Sequence, residues 1–144
     1  MIEQDTISLL RECDAGIKMG VASIDEVRPY ARDAGLREAL TDCKRQHEQL
    51  KDELQGALDR FGDGGKDPSP IAKGMSWLKT NVKLGVDLSD GTIADLMTDG
   101  CNMGMKSLTR YLNEYEAADE SAKSLAKKLI AQEAHLVGEM RRYL

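Results

Sequence analysis

Aromatic side chains are scarce in this chain. Of 144 residues one is Phe, one is Trp and four are Tyr, 4% in all. Strands draw on aromatic and β-branched residues, so a chain poor in rings and rich in Leu, Ala and Met is not an all-β protein. Proline occurs three times, too seldom to break long helices anywhere but where it stands. The three cysteines, Cys13, Cys43 and Cys101, are odd in number and form no Cys-x-x-Cys pair. That spacing does not suit a secreted disulfide framework, and reduced thiols in a cytoplasmic protein are expected. No window approaches about eighteen uninterrupted apolar residues. The opening Met1-Ile2-Glu3-Gln4-Asp5 lacks the basic stretch and apolar run of a secretory leader, so no membrane association is expected. Excess positive charge is missing too: 20 Lys and Arg stand against 25 Asp and Glu, a formal charge of −5. A net anion repels a phosphate backbone, and nucleic acid is not an expected partner.

What is present describes packed helices. Hydrophobic residues make up 41% and charged residues 31%, the balance of a soluble globular protein, and the length fits one domain over residues 1–144. Four long periodic segments follow one another. The first starts at Asp5 as a cap and stops near Pro29; the second follows Asp33 as N-cap and ends at Phe61, before Gly62-Asp63-Gly64-Gly65. The third runs from about Asp90 to Glu116, and the fourth from Asp119 or Ser121 to the C-terminus. The first and last connections are short, which makes antiparallel neighbours, whereas the middle one takes all of residues 62–89. Inside it, Ser69-Pro70 is a start signal for a short crossing helix through Trp77 and Leu78. Two antiparallel pairs joined by one long crossover describe an all-α, ferritin-like four-helix bundle.

Helical phase, at about 100° per residue, turns specific side chains inward. The first segment presents Leu10, Cys13, Ile17, Gly20, Val21, Ile24 and Val27, and pushes Glu12 off the stripe. The second alternates by four and three through Leu36, Leu40, Cys43, His47, Leu50, Leu54, Ala57 and Phe61, as a bundle seam requires. The third presents Ile93, Met97, Cys101, Gly104, Leu108, Tyr111 and Tyr115. The fourth surrounds Glu133 with Ala126, Leu129, Ile130, Val137, Met140 and Leu144, and leaves His135 on the polar side. A carboxylate within an apolar face is expensive unless partnered. Counting from the turns places Cys13, His47, Cys101 and Glu133 within roughly one helical turn of a common mid-bundle layer.

The stretch Leu9-Leu10-Arg11-Glu12-Cys13-Asp14-Ala15-Gly16-Ile17-Lys18-Met19-Gly20, together with Trp77, Leu78-Lys79 and Tyr111-Leu112, resembles a bacterial ferritin-like family of unknown function. The resemblance covers nearly the whole chain. It implies a four-helix ferritin-like bundle, often a homodimer, with no established activity. Ferritin-like di-iron proteins use a Glu from each of two helices and a Glu-x-x-His from each of the other two. Here that pattern is degraded: Lys44 stands three before His47, Gln132 three before His135, and Leu136 three after Glu133. No ferroxidase residues are carried over.

Two functional readings stay open. In the first, the chain is a non-catalytic binding or assembly protein whose metal site is a relic, His47 and Glu133 hydrogen-bonding each other in the core. In the second it is a metalloprotein, with Fe or Zn held by His47, Glu133 and thiolates of Cys13, Cys43 or Cys101. A thiol redox sensor is a third class, which needs an exposed thiol of low pKa that the inward phases oppose. Met97, Cys101, Met103 and Met105 spread around their helix and read as core and surface rather than a soft-metal box. Gly100 and Gly104 mark either a close helix contact or space kept clear for a large neighbour. Gly62 to Lys66 follows a helix and lacks phosphate-loop spacing, and Lys73, Lys79 and Lys83 read as a solvated face around Trp77. No Ser or Asp assembles with His47 as a nucleophile system.

Overall fold

In a computed structural model, residues 2–67 and 88–144 are described. Four long helices hold most of them: α1 (Ile2–Val27), α2 (Ala34–Arg60), α3 (Asp90–Glu114) and α4 (Glu120–Met140), with 3-10 turns at Arg28–Tyr30 and Arg141–Tyr143. Among the described residues there is no strand, and no helix is long and apolar enough to cross a membrane. The crossing helix expected around Trp77 lies outside the described residues.

Three helices begin where the sequence offers an oxygen to the free amides of a first turn. Asp33 accepts from Leu36 N at 3.0 Å, Ser89 from Thr92 N at 3.2 Å, and Asp119 from Ala122 N at 2.8 Å. Asp5 is not the cap expected of it: α1 already runs from Ile2, and Asp5 reaches across the bundle to accept from Ala117 N at 3.1 Å. The end of α2 follows its glycines, Gly62 turning the chain at φ +66°, a conformation that glycine adopts without a Cβ penalty.

Hydrogen bonds at the two ends set the helix directions. At one end Asp5 holds Ala117, and Thr6 Oγ1 accepts from Asp119 N at 2.9 Å. At the other, Asp90 accepts from Arg32 N and Asp33 N at 2.8 and 3.0 Å, and Tyr143 donates to Asp33 at 2.9 Å. Hence α1 and α4 run one way, and α2 and α3 run the other. Packing joins α1 to α2, α3 to α4, α2 to α4, and α1 to both α3 and α4, leaving α2 and α3 at the far corners of a four-helix bundle.

The core falls into two apolar clusters. One gathers Leu9, Leu10, Cys13, Ile17, Leu50, Leu54, Leu108 and Leu129; the other gathers Ile24, Val27, Leu36, Leu40, Cys43, Ile93, Cys101, Leu136 and Met140. Most inward residues of the four stripes are buried as their phases predict. Leu144 is not, being 64% exposed: α4 ends at Met140, and Leu144 stands beyond the 3-10 turn Arg141–Tyr143 that follows it.

Candidate functional site

Each helix interrupts its apolar seam at one depth. Buried aliphatic or thiol side chains step from Ile17 to Ile24 on α1, from Cys43 to Leu50 on α2, from Cys101 to Leu108 on α3 and from Leu129 to Leu136 on α4. Every step spans two turns, and the position between holds Gly20, His47, Gly104 or Glu133. The two apolar clusters are thus separated by a layer with two polar side chains and two glycines. Both glycines are occupied space: a Cβ on Gly20 would lie 3.0 Å from His47 Cδ2 and Nε2, and one on Gly104 would lie 2.7 Å from both Glu133 oxygens. Across each antiparallel pair, α1–α2 and α3–α4, one helix therefore supplies a large polar side chain and the other supplies its room.

His47 is 2% exposed and Glu133 6%, and burial disfavours whichever form of each is charged. The imidazole is held below its ordinary pKa chiefly by burial, with the Cys43 carbonyl and the Gln132 amide beside the ring pulling partly the other way. Burial pushes the Glu133 carboxyl up to about 8. Both groups are accordingly neutral near pH 7. They do not satisfy each other as the relic reading expects. His47 Nδ1 lies 3.7 Å from Cys43 Sγ, and Glu133 Oε2 has no hydrogen-bond partner, nor has Gln132 Oε1. The reason is direction: Glu133 points at Gly104 on its own antiparallel partner, while Gln132 fills the approach to the His47 ring and donates to the Gln46 carbonyl at 3.4 Å.

The three thiols are free and buried. Cys43 and Cys101 flank the layer in one apolar cluster, whereas Cys13 belongs to the other. Since Gly20 is the α1 residue against His47, Cys13 stands two turns away, about 10 Å along the helix. Cys101, three residues from Gly104, stays within one turn of the layer as turn counting expects, whereas Cys13 does not, and the layer position of α1 is Gly20. Burial first, then the Glu12 and Asp14 charges, pushes the Cys13 thiol up to about 12. Burial, then Glu133, pushes Cys43 up to about 12 and Cys101 well above its ordinary value. Such thiols are poor nucleophiles at neutral pH. Among the described residues no three His, Cys, Asp or Glu side chains are grouped to hold one metal ion.

The other expectations resolve around the layer. Lys44 turns outward to Asp25 at 2.7 Å, and His135 is exposed beside Glu139. Met97 is buried and Met103 is exposed, as a helix that spreads its methionines requires. Gly104 keeps space clear for a large neighbour, whereas a Cβ on Gly100 would meet nothing within 4 Å.

Sequence reasoning missed Asp14. It is 1% exposed, pairs with Lys18 at 2.7 Å and accepts from Lys66 N at 3.0 Å, while Lys66 Nζ binds Glu12. Gly65, at φ +88°, packs so closely that a Cβ there would collide with the Asp14 carboxylate. These bonds clasp residues 63–67 onto α1. The i,i+4 spacing of Asp14 and Lys18 was a local signal for a charge pair, but nothing local showed that the pair is buried. No family model, curated protein or solved structure matches the chain.

Proposed function

We propose that this protein is a non-catalytic binding or assembly protein built on a ferritin-like bundle, and that its mid-bundle layer is the remnant of a two-metal centre. The observation that carries the reading is the composition of the layer. A di-iron centre of this architecture needs a carboxylate on each of two helices and Glu-x-x-His on each of the other two. Here the layer positions of α1 and α3 are Gly20 and Gly104, Lys44 is engaged by Asp25, and Leu136 follows Glu133. Only His47 and Glu133 remain of such a set. The ferritin-like part is supported by the parallel course of α2 and α3 at opposite corners, α2 ending at the end of the bundle opposite to that where α3 begins. A homodimer follows from the family resemblance, and a cytoplasmic site from three unpaired cysteines.

The test is elemental analysis of protein purified without affinity metal or chelator, followed by anaerobic loading with Fe(II) and exposure to air. Trace metal, and Fe(II) oxidation no faster than in buffer, are expected. Near-stoichiometric Fe or Zn that disappears in His47→Ala overturns the reading in favour of a metalloprotein.

A further inference from the structure

The outer face of α3 carries four charges that nothing answers. Asp95, Asp99, Lys106 and Arg110 are all exposed, and among the described residues none of them takes part in an ion pair or a side-chain hydrogen bond. Charges on α2 and α4, by contrast, are engaged, Arg45 by Asp42 and Lys128 by Glu53. At about 100° per residue the four fall within about 60° of one another, on a single stripe. Asn102 and Met103 flank its middle, and Met103 is 66% exposed. Sign is segregated along the stripe, with both acids toward the start of α3 and both bases toward its end. Each i,i+4 neighbour is therefore of like charge, which destabilises an isolated helix. The acids and bases come no nearer than Asp99 and Lys106, about 10 Å apart along the axis, roughly one Debye length at physiological salt, so they compensate each other little. The helix dipole does not explain the order either, because it acts on the first and last turns, where α3 has Asp90 and no base.

The stripe is complementary to itself. Asp99 and Lys106 stand equally far from the midpoint between Asn102 and Met103, and so do Asp95 and Arg110. A two-fold axis through that midpoint, perpendicular to the helix, turns the stripe end for end and sets acids on bases. We propose that α3 is the face on which two copies of this chain associate, antiparallel about that axis, with Asp99 of each copy against Lys106 of the partner subunit and Asp95 against Arg110 of the partner subunit. Such a contact is isologous, the same patch serving both copies. It also fixes orientation, since a parallel pairing would set like charge on like. The axis brings Met103 onto Met103 of the partner subunit, which removes an exposed apolar side chain from water. Exposed ion pairs are each worth little and are screened by salt, so the association is reversible and weakens as salt is raised. The proposal rests on the homodimer of the proposed function and adds its face; it uses nothing at the mid-bundle layer.

Charge exchange tests the pairing. One variant combines Asp95→Lys with Asp99→Lys and so carries only bases on the stripe; the other combines Lys106→Asp with Arg110→Asp and carries only acids. All four positions are exposed, and circular dichroism checks that both variants fold; should either double variant not fold, Asp99→Lys and Lys106→Asp serve singly. Sedimentation velocity at low salt is expected to show the wild type as a dimer whose Kd rises at least about tenfold in 1 M salt, where the Debye length is about 3 Å. Each variant alone is expected to dimerise at least about tenfold more weakly than the wild type, and an equimolar mixture of the two to form a one-to-one dimer. A wild type that stays monomeric up to about 0.1 mM overturns the proposal together with the homodimer on which it rests. A dimer that both variants retain overturns the assignment to α3 and leaves the homodimer standing. Loss of the dimer in each variant without recovery in the mixture overturns the antiparallel pairing of acids with bases.

Discussion

Adding one methyl group to Gly104 tests the layer most directly. In Gly104→Ala the new Cβ would stand 2.7 Å from both Glu133 oxygens and 3.0 Å from Cδ, well inside ordinary carbon–oxygen contact. Glu133 is buried between two packed clusters, so swinging it aside means displacing core side chains, and overpacking of this kind costs roughly 1–3 kcal/mol. Against that, alanine gains about 1 kcal/mol over glycine in a helix interior. Gly100, one turn earlier on the same helix, isolates the second term because a Cβ there meets nothing within 4 Å. Gly100→Ala is therefore expected to stabilise by about 0.5–1 kcal/mol, and Gly104→Ala to lie about 1–3 kcal/mol below it. Urea unfolding of both variants at pH 7 measures the gap, which corresponds to about 2–4 °C in Tm per kcal/mol for a chain of this size. In a Glu133→Ala background the two glycines should become equivalent, since the clash has lost its second partner. If Gly104→Ala stabilises the wild-type background as much as Gly100→Ala does, Glu133 does not need the space, and the pairing of polar side chains with glycines is wrong.

Two further expectations concern charge. The Glu133 carboxyl has a folded-state pKa raised from 4.5 to about 8, so the folded chain binds a proton that the unfolded chain releases. Its contribution to stability therefore falls as pH rises between those values, by about 1.4 kcal/mol per unit. Glu133→Gln should gain on the wild type as pH is raised from 5 to 8 and hold its lead above that, and parallel stability curves for the two proteins would speak against a buried acid. Asp14→Asn removes the ion pair to Lys18 and weakens the bond from Lys66 N. A loss of about 1–3 kcal/mol is expected, together with faster amide exchange at Lys66; unchanged exchange there would mean that the clasp does not depend on the Asp14 charge.

Local chemistry made much of the architecture legible. Asp33 and Asp119 were readable as caps because an acidic oxygen before an apolar period has one obvious use, and α2 was readable to within a residue of each end because both limits are set by sequence-local events. Asp5 defeated the same rule. It has the right residue type, yet its carboxylate is claimed by Ala117, more than a hundred positions away. The inward faces of His47 and Glu133 followed from period alone, since a helix leaves a residue between core neighbours no other direction. Their mutual relation did not follow, because two inward side chains share a layer without sharing a bond.

Taken by itself, the sequence determined the four helices, the inward faces and the presence of two polar groups within the seam, all consequences of the 3.6-residue period and of turn residues acting over a few positions. It also carried the short–long–short pattern of connections. Only the tertiary structure decided which residues meet. It put Gly20 and Gly104 against His47 and Glu133, moved Cys13 two turns from the layer, and left Glu133 Oε2 without a partner. Helical phase fixes direction around an axis, but register between helices is set by packing along it, where a slip of one turn costs nothing in periodicity and exchanges every contact.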